Sequence, residues 1–309
     1  MMQHQSPSKV VLLDGGLGQE IIRRSTRAEP HPLWSIMVMR EEPQTVVEVH
    51  QDFLMAGARV LSLNNYAATP MRLAREGMES ELAHIHQHAS CLVDQAIENT
   101  GIPRSTVSKM GCLPPLAASY LAEVAPDYDS ARRQYEQLIA AQIDHVDEFL
   151  VETMSNIPEM SAARDALVAA NQTVRIGITL KDDNSNRLRS GEAISDAVET
   201  LANGPLDAVM INCTRPETVP KALTELAKLG CPYGAYANGF KTIAPLRPGG
   251  TVKGLECRYD LDAEAYTTHV LQWLQLGATI VGGCCEITPL HIQHLHKTLL
   301  DRNILITSF

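Results

Sequence analysis

Three thiols and two carboxylates hold the residue types and spacing that could do chemistry. Cys284 and Cys285 are adjacent and directly follow Gly282 and Gly283 at the end of an apolar run, and Cys213 ends another such run in MINC. Vicinal cysteines cannot close an ordinary unstrained disulfide, and glycines before them let the backbone turn both sulfurs inward. Three thiolates from two distant strand ends suit a tetrahedral zinc ion with one position left open. For Cys213 taken alone, an inert reduced thiol reads equally well. The carboxylates are Asp14, just before Gly15 and Gly16 in VVLLDGGLGQE, and Glu152 in FLVETMSNIPE. An acidic side chain beside a tight turn repels a pyrophosphate and attracts an amine, so the glycine-rich opening is a poor dinucleotide fingerprint. Asn64, Asn65, Asn212 and Asn238 also end apolar runs; of these, Asn65 and Asn238 are further candidates for substrate binding. Cys91, Cys112, Cys231 and Cys257 stand singly and read as small buried hydrophobes.

The elements that must bring these residues together alternate along the chain. Short apolar or β-branched runs at 10–13, 59–63, 106–111, 147–152, 174–179, 206–211, 232–236 and 278–282 read as strands, separated by segments at helical spacing. In PQTVVEVHQDFLMAGA, Pro43 suits a first helical turn and Val46, Val49, Phe53 and Leu54 share a face. Thr288 and Pro289 open a last helix, with Ile292, Leu295 and Leu299 inward. Eight strand–helix units predict an α/β fold, a single (β/α)8 TIM barrel spanning 1–309 as one domain, in preference to a doubly wound sheet. The long loops GCLPPLAASYLAEVAPDYD, KDDNSNRLRSGE and NGFKTIAPLRPGGTVKG then project from the C-terminal rim with all the candidate residues.

Composition narrows the partners. The 309 residues carry 26 Lys and Arg against 36 Asp and Glu, a formal net charge of -10, with no basic run, which disfavours nucleic acid and anionic membrane surfaces. No stretch approaches the ~18 apolar residues of a membrane helix, so a cytoplasmic protein acting on small molecules is expected. Seven cysteines, an odd count in a chain of this size, predict reduced thiols without a disulfide framework. His84 with His88, and His291 with His294, have metal-compatible spacing but belong on outer helices, away from the rim.

Taken together, the motifs resemble the homocysteine S-methyltransferase family of zinc-dependent (β/α)8 barrels. The resemblance runs through DGGLGQE at 14–20, LWS at 33–35, His50 to Ala58, LPPL and SY within 113–120, ETMSNIPE at 152–159, INC at 211–213, YANG at 236–239 and VGGCC to HI within 281–292. It implies that Cys213, Cys284 and Cys285 ligate Zn2+. It also implies that Asp14 and Glu152 hold the amino group of homocysteine, helped by the backbone around Gly15 and Gly16. Two positions depart from the pattern: Glu286 stands where many members have glycine, and Ala237 where Tyr-Pro-Asn is common.

The implied reaction is direct in-line methyl transfer to a zinc-held homocysteine thiolate, giving methionine. One barrel without cobalamin or folate modules, and without the long extension of the betaine enzymes, points to a small sulfonium donor. S-methylmethionine is the first choice and S-adenosylmethionine the second, with Tyr66, Tyr120 and Tyr236 near the rim as cation-π partners. The competing expectations are a thiolate zinc-binding protein without catalysis, the same fold with another donor such as betaine, and a cysteine-nucleophile hydrolase. The last lacks a histidine at any strand end. Either a monomer or a homodimer is compatible with the sequence.

Overall fold

The apolar runs become strands buried along nearly their whole length, as expected where helices cover a parallel sheet. In the computed structural model, which describes residues 7–27, 29–246 and 252–309, β1 is Lys9–Leu12, β2 Val60–Ser62, β3 Ser108–Leu113 and β4 Glu148–Met154. They are followed by β5 Arg175–Ile178, β6 Ala208–Asn212, β7 Tyr233–Tyr236 and β8 Ile280–Val281. All eight expected strands are present, with boundaries displaced by no more than two residues. A ninth strand, β9 at Leu305–Thr307, was not anticipated.

The helices are α1 Leu17–Arg24, α2 Ser35–Glu41, α3 Pro43–Met55, α4 Pro70–Arg75, α5 Leu82–Thr100 and α6 Tyr128–Ala140. Then come α7 Ile157–Ala169, α8 Ile194–Ala202, α9 Val219–Leu226, α10 Ala263–Gln275 and α11 Pro289–Asp301. Their starts carry legible signals. Thr69, Asp127, Asn156 and Asp262 each accept a backbone N–H three residues on, and prolines occupy the first turns of α3, α4, α7, α9 and α11.

The strands hydrogen-bond in the order β2-β3-β4-β5-β6-β7-β8-β1-β9, every pairing parallel, and a Leu13–Val60 bridge joins β1 back to β2. This is the expected (β/α)8 barrel, with β9 paired to Lys9, Val10 and Val11 of β1. Leu13, Val60, Met110, Leu150, Met210, Tyr236 and Ile280 fill the inside, while a larger apolar layer separates the sheet from its helices. The three long loops leave the C-terminal ends of β3, β5 and β7; residues 247–251 of the last lie outside the described residues. Among the described residues no helix is long and apolar enough to cross a membrane.

One buried hydroxyl ties the end of β7 to the end of β8. Tyr266 of α10 donates to Gly282 O at 2.6 Å and accepts from Ala237 N at 3.2 Å. A proline at position 237 would have no N–H to give. Tyr266→Phe removes only this hydroxyl and orphans both groups, so stability should fall by about 1–3 kcal/mol. Urea unfolding at unchanged m-value would measure the loss.

Candidate functional site

β6 and β8 deliver the thiols. Cys213 directly follows β6, its N–H donating to Tyr236 O at 3.1 Å; Cys284 N donates to Ala237 O at 2.9 Å, and Gly239 N donates to Cys285 O at 2.8 Å. These bonds fix both cysteine segments against the end of β7. The three Sγ atoms lie within 4.8 Å of one another, and Cys213 Sγ is 3.8 Å from Cys285 Sγ. Tyr120, Phe240, Ile243 and Leu255 pack around them as an apolar sleeve. Burial pushes the Cys285 thiol up to about 12, so a thiolate there needs a compensating cation.

Contrary to the expectation from the sequence, the thiols are not uniformly reduced. Cys213 and Cys284 are joined as a disulfide, with Cα atoms 5.5 Å apart. Sequence distance conceals the cause: the fold brings thiols from β6 and β8 as close as bonding partners. The vicinal pair itself stays unbonded, as its geometry requires. The residues nevertheless fit a metal ion. Sulfurs at about 2.3 Å from a tetrahedral zinc are separated by about 3.8 Å, which is the Cys213–Cys285 spacing; reduction of the disulfide would free Cys213 and Cys284 to join Cys285 as donors.

β1 and β4 deliver the carboxylates. Asp14 Oδ2 accepts from Ser62 N at 2.9 Å, and burial raises its pKa well above the ordinary value, with the charge of Glu152 adding to the shift. Glu152 accepts from Cys112 Sγ at 2.8 Å and from Tyr236 Oη at 3.1 Å, and burial raises its pKa too. Among the described residues neither carboxylate has an ion-pair partner. The register of β4 against β5 shifts between Val151 and Met154, and Thr153 takes a left-handed backbone with φ 62°. A bulge of this kind re-aims a side chain. The Asn212 amide braces it, accepting from Thr153 N and donating to Thr153 Oγ1, both at 2.9 Å.

Asp14, Gly15, Gly16, Glu152, Cys213, Cys284 and Cys285 all border one cavity of about 270 Å³, which Tyr66, Tyr120 and Tyr236 also line. Gly16 N donates to Ile287 O at 2.8 Å, and a Cβ on Gly16 would lie 2.9 Å from Cys284 O. The two glycines thus let the cysteine loop pack directly on the first turn after β1. Asn65 and Asn238 do not border the cavity. Asn65 donates outward to Gln142 at 2.6 Å, with His86 Nδ1 at 3.0 Å, and Asn238 Oδ1 caps Phe240 N. Glu286 adopts φ 66°, a conformation that favours glycine, and exchanges two 2.5 Å bonds with Gln19 on α1. Trp34, from the LWS motif, and Arg72, which did not stand out in the sequence, line the cavity as well. The histidine pairs lie on α5 and α11, and His291 and His294 bond to their own cap and to Thr267.

The family described as homocysteine S-methyltransferase matches residues 11–299. The homocysteine S-methyltransferase of Escherichia coli is 27% identical over 93% of this chain and 94% of its own. Homocysteine S-methyltransferase 2 of Arabidopsis thaliana is 26% identical over 95% and 94%. The E. coli homocysteine methyltransferase MmuM superposes in its metallated form with a TM-score of 0.78 and in its oxidized form with 0.76. Each is 26% identical and covers 94% of this chain and 96% of that one.

A raised carboxylate pKa signs a pH effect. Between the ordinary value of 4.5 and the raised folded value, the native state of Glu152 binds more protons than the unfolded one, so stability falls as pH rises through that window. Glu152→Gln removes the buried charge. At neutral pH its ligand-free melting temperature should exceed the wild type's by about 2–4 °C, and the gain should shrink in acid. Calorimetry across the pH range measures both.

Proposed function

We propose that this chain, which belongs to the homocysteine S-methyltransferase family, transfers a methyl group from a small sulfonium donor to homocysteine and forms methionine. The observation that carries the reading is the convergence on one cavity of three thiols, the buried Asp14 and the partly buried Glu152, neither carboxylate with a counterion among the described residues. Cys213, Cys284 and Cys285, once reduced, would hold Zn2+. When bound, zinc would supply a Lewis acid that keeps the substrate sulfur as thiolate at neutral pH.

The chain's own side chains do the rest. Asp14 and Glu152 accept hydrogen bonds from the substrate ammonium, whose charge relieves the cost of burying theirs. Cys112 and Tyr236 donate to Glu152 and so fix the direction in which its free lone pairs point. The apolar sleeve around the sulfurs excludes water and favours attack on the donor methyl over hydrolysis. The homocysteine sulfur forms a bond to the methyl carbon while the donor's carbon–sulfur bond breaks. The electron pair leaves on the donor sulfur, which ends as a neutral thioether. Dispersing positive charge in this way suits a site rimmed by tyrosine rings.

S-methylmethionine remains the preferred donor, with S-adenosylmethionine second; another donor such as betaine is the alternative. Reduced thiols also fit a cytoplasmic setting. The test is methionine formation from homocysteine with each donor in parallel, on reduced enzyme with and without zinc. Turnover with one donor that chelation abolishes is expected; full turnover after chelation would overturn the zinc role. Cys285→Ala should lose bound metal, read by elemental analysis, and activity together. Peroxide treatment should silence the wild type, and thiol reductant with zinc should restore it.

A further inference from the structure

The acidic pair accounts for one charge of an amino-acid substrate, and α4 offers a partner for the other. Arg72 lines the same cavity, on the side formed by α4 and the loop after β3. Among the described residues its guanidinium donates only to neutral acceptors: Pro115 O at 2.8 Å, Tyr66 O at 3.4 Å and Ser119 Oγ at 3.5 Å. It stacks over the Tyr66 ring, 5.4 Å from the centroid. Among the described residues no carboxylate forms an ion pair with it. Glu159 acts on it at longer range, but its oxygens are taken by Leu116 N, Tyr135 Oη and Asn156 Nδ2. The field of Arg72 reaches Cys112, the thiol that donates to Glu152. The cavity therefore has an acidic end and a cationic flank within electrostatic range of each other, the polarity of an α-amino acid zwitterion. A guanidinium lining a cavity and held by two carbonyls and a hydroxyl keeps donors free for a bidentate anion.

We propose that Arg72 is a specificity-determining residue that receives the α-carboxylate of an amino-acid substrate, opposite Asp14 and Glu152. The assignment rests on the methyl-transfer reading. The carboxylate belongs either to homocysteine or to the methyl donor, and the two are separated by experiment.

Kinetics are measured on the reduced, zinc-loaded wild type and on Arg72→Gln and Arg72→Lys, with homocysteine, S-methylmethionine and the methyl ester of each. In the wild type, esterifying the relevant substrate should raise its KM by about 10–100-fold, the worth of a charged hydrogen-bonded pair. In Arg72→Gln that acid and its ester should have equal KM values, and Arg72→Lys should keep part of the preference. The substrate whose preference disappears names the source of the carboxylate. If Arg72→Gln weakens acid and ester by the same factor for both substrates, the residue only anchors α4 to the loop, and the proposal is overturned. A second readout needs no turnover. Trp34 lines the cavity while the only other tryptophan, Trp273, is buried in the core, so indole fluorescence reports binding of methionine against methionine amide. Preference for methionine that Arg72→Gln abolishes would uphold the proposal even if no donor were turned over, which would sink only the methyl-transfer reading. Equal binding of the two by the wild type would count against Arg72 whatever the kinetics of the reaction.

Discussion

Closure of the sheet between β8 and β1 is the constraint on which the site depends. Three backbone bonds carry it beyond the short strands: Leu13 N to Val281 O, Gly283 N to Asp14 O and Gly16 N to Ile287 O, each 2.8 Å. The backbones approach so closely that a side chain at Gly16 would strike the cysteine loop. This seam sets an acidic residue from the start of the chain against a thiol pair from near its end. Had the barrel closed one residue out of register, inward and outward side chains would have exchanged places along β1.

Around the seam the fold accepts local cost. Trp34, Tyr120, Thr153, Cys213 and Glu286 all take positive φ without being glycine, and all stand at the rim or beside the residues that line it. Such conformations persist only where the surroundings over-determine them. Asn212 does so for Thr153, and Gln19 does so for Glu286. Buried, uncompensated carboxylates add to the burden. The continuous apolar layer between sheet and helices must outweigh these costs.

Strands were legible in the sequence because a parallel barrel buries both faces, leaving short apolar runs bounded by turns; Ala208–Asn212 is buried throughout. Residues at the ends of those runs were legible for the same reason, since a strand end in a barrel is a rim position. Direction was not. Asn65 and Asn238 sit at strand ends like Asp14, yet the pleat and the following turn send their amides into the wall. Cys112 looked like packing material because it stands singly in the sequence, and only the fold sets it beside Glu152. Arg72 gave no signal beyond the Thr69-Pro70 helix start, because a side chain's lack of a counterion exists only in three dimensions. The Cys213–Cys284 disulfide was hidden likewise, although the motif resemblance had already grouped both thiols.

Strand β1 has an unusual history during synthesis. Its long-range partners, β8 and β9, follow every other described strand out of the ribosome, and until then its one strand contact among the described residues is the bridge from Leu13 to Val60. Contacts of such sequence separation carry the largest loop-closure cost and form late. The acidic half of the cavity and the thiol half therefore meet at the end of folding. A nascent chain cannot present the assembled thiol cluster beside Asp14 to a metal ion or an amino acid before the barrel is closed, so acquisition of function follows completion of the fold.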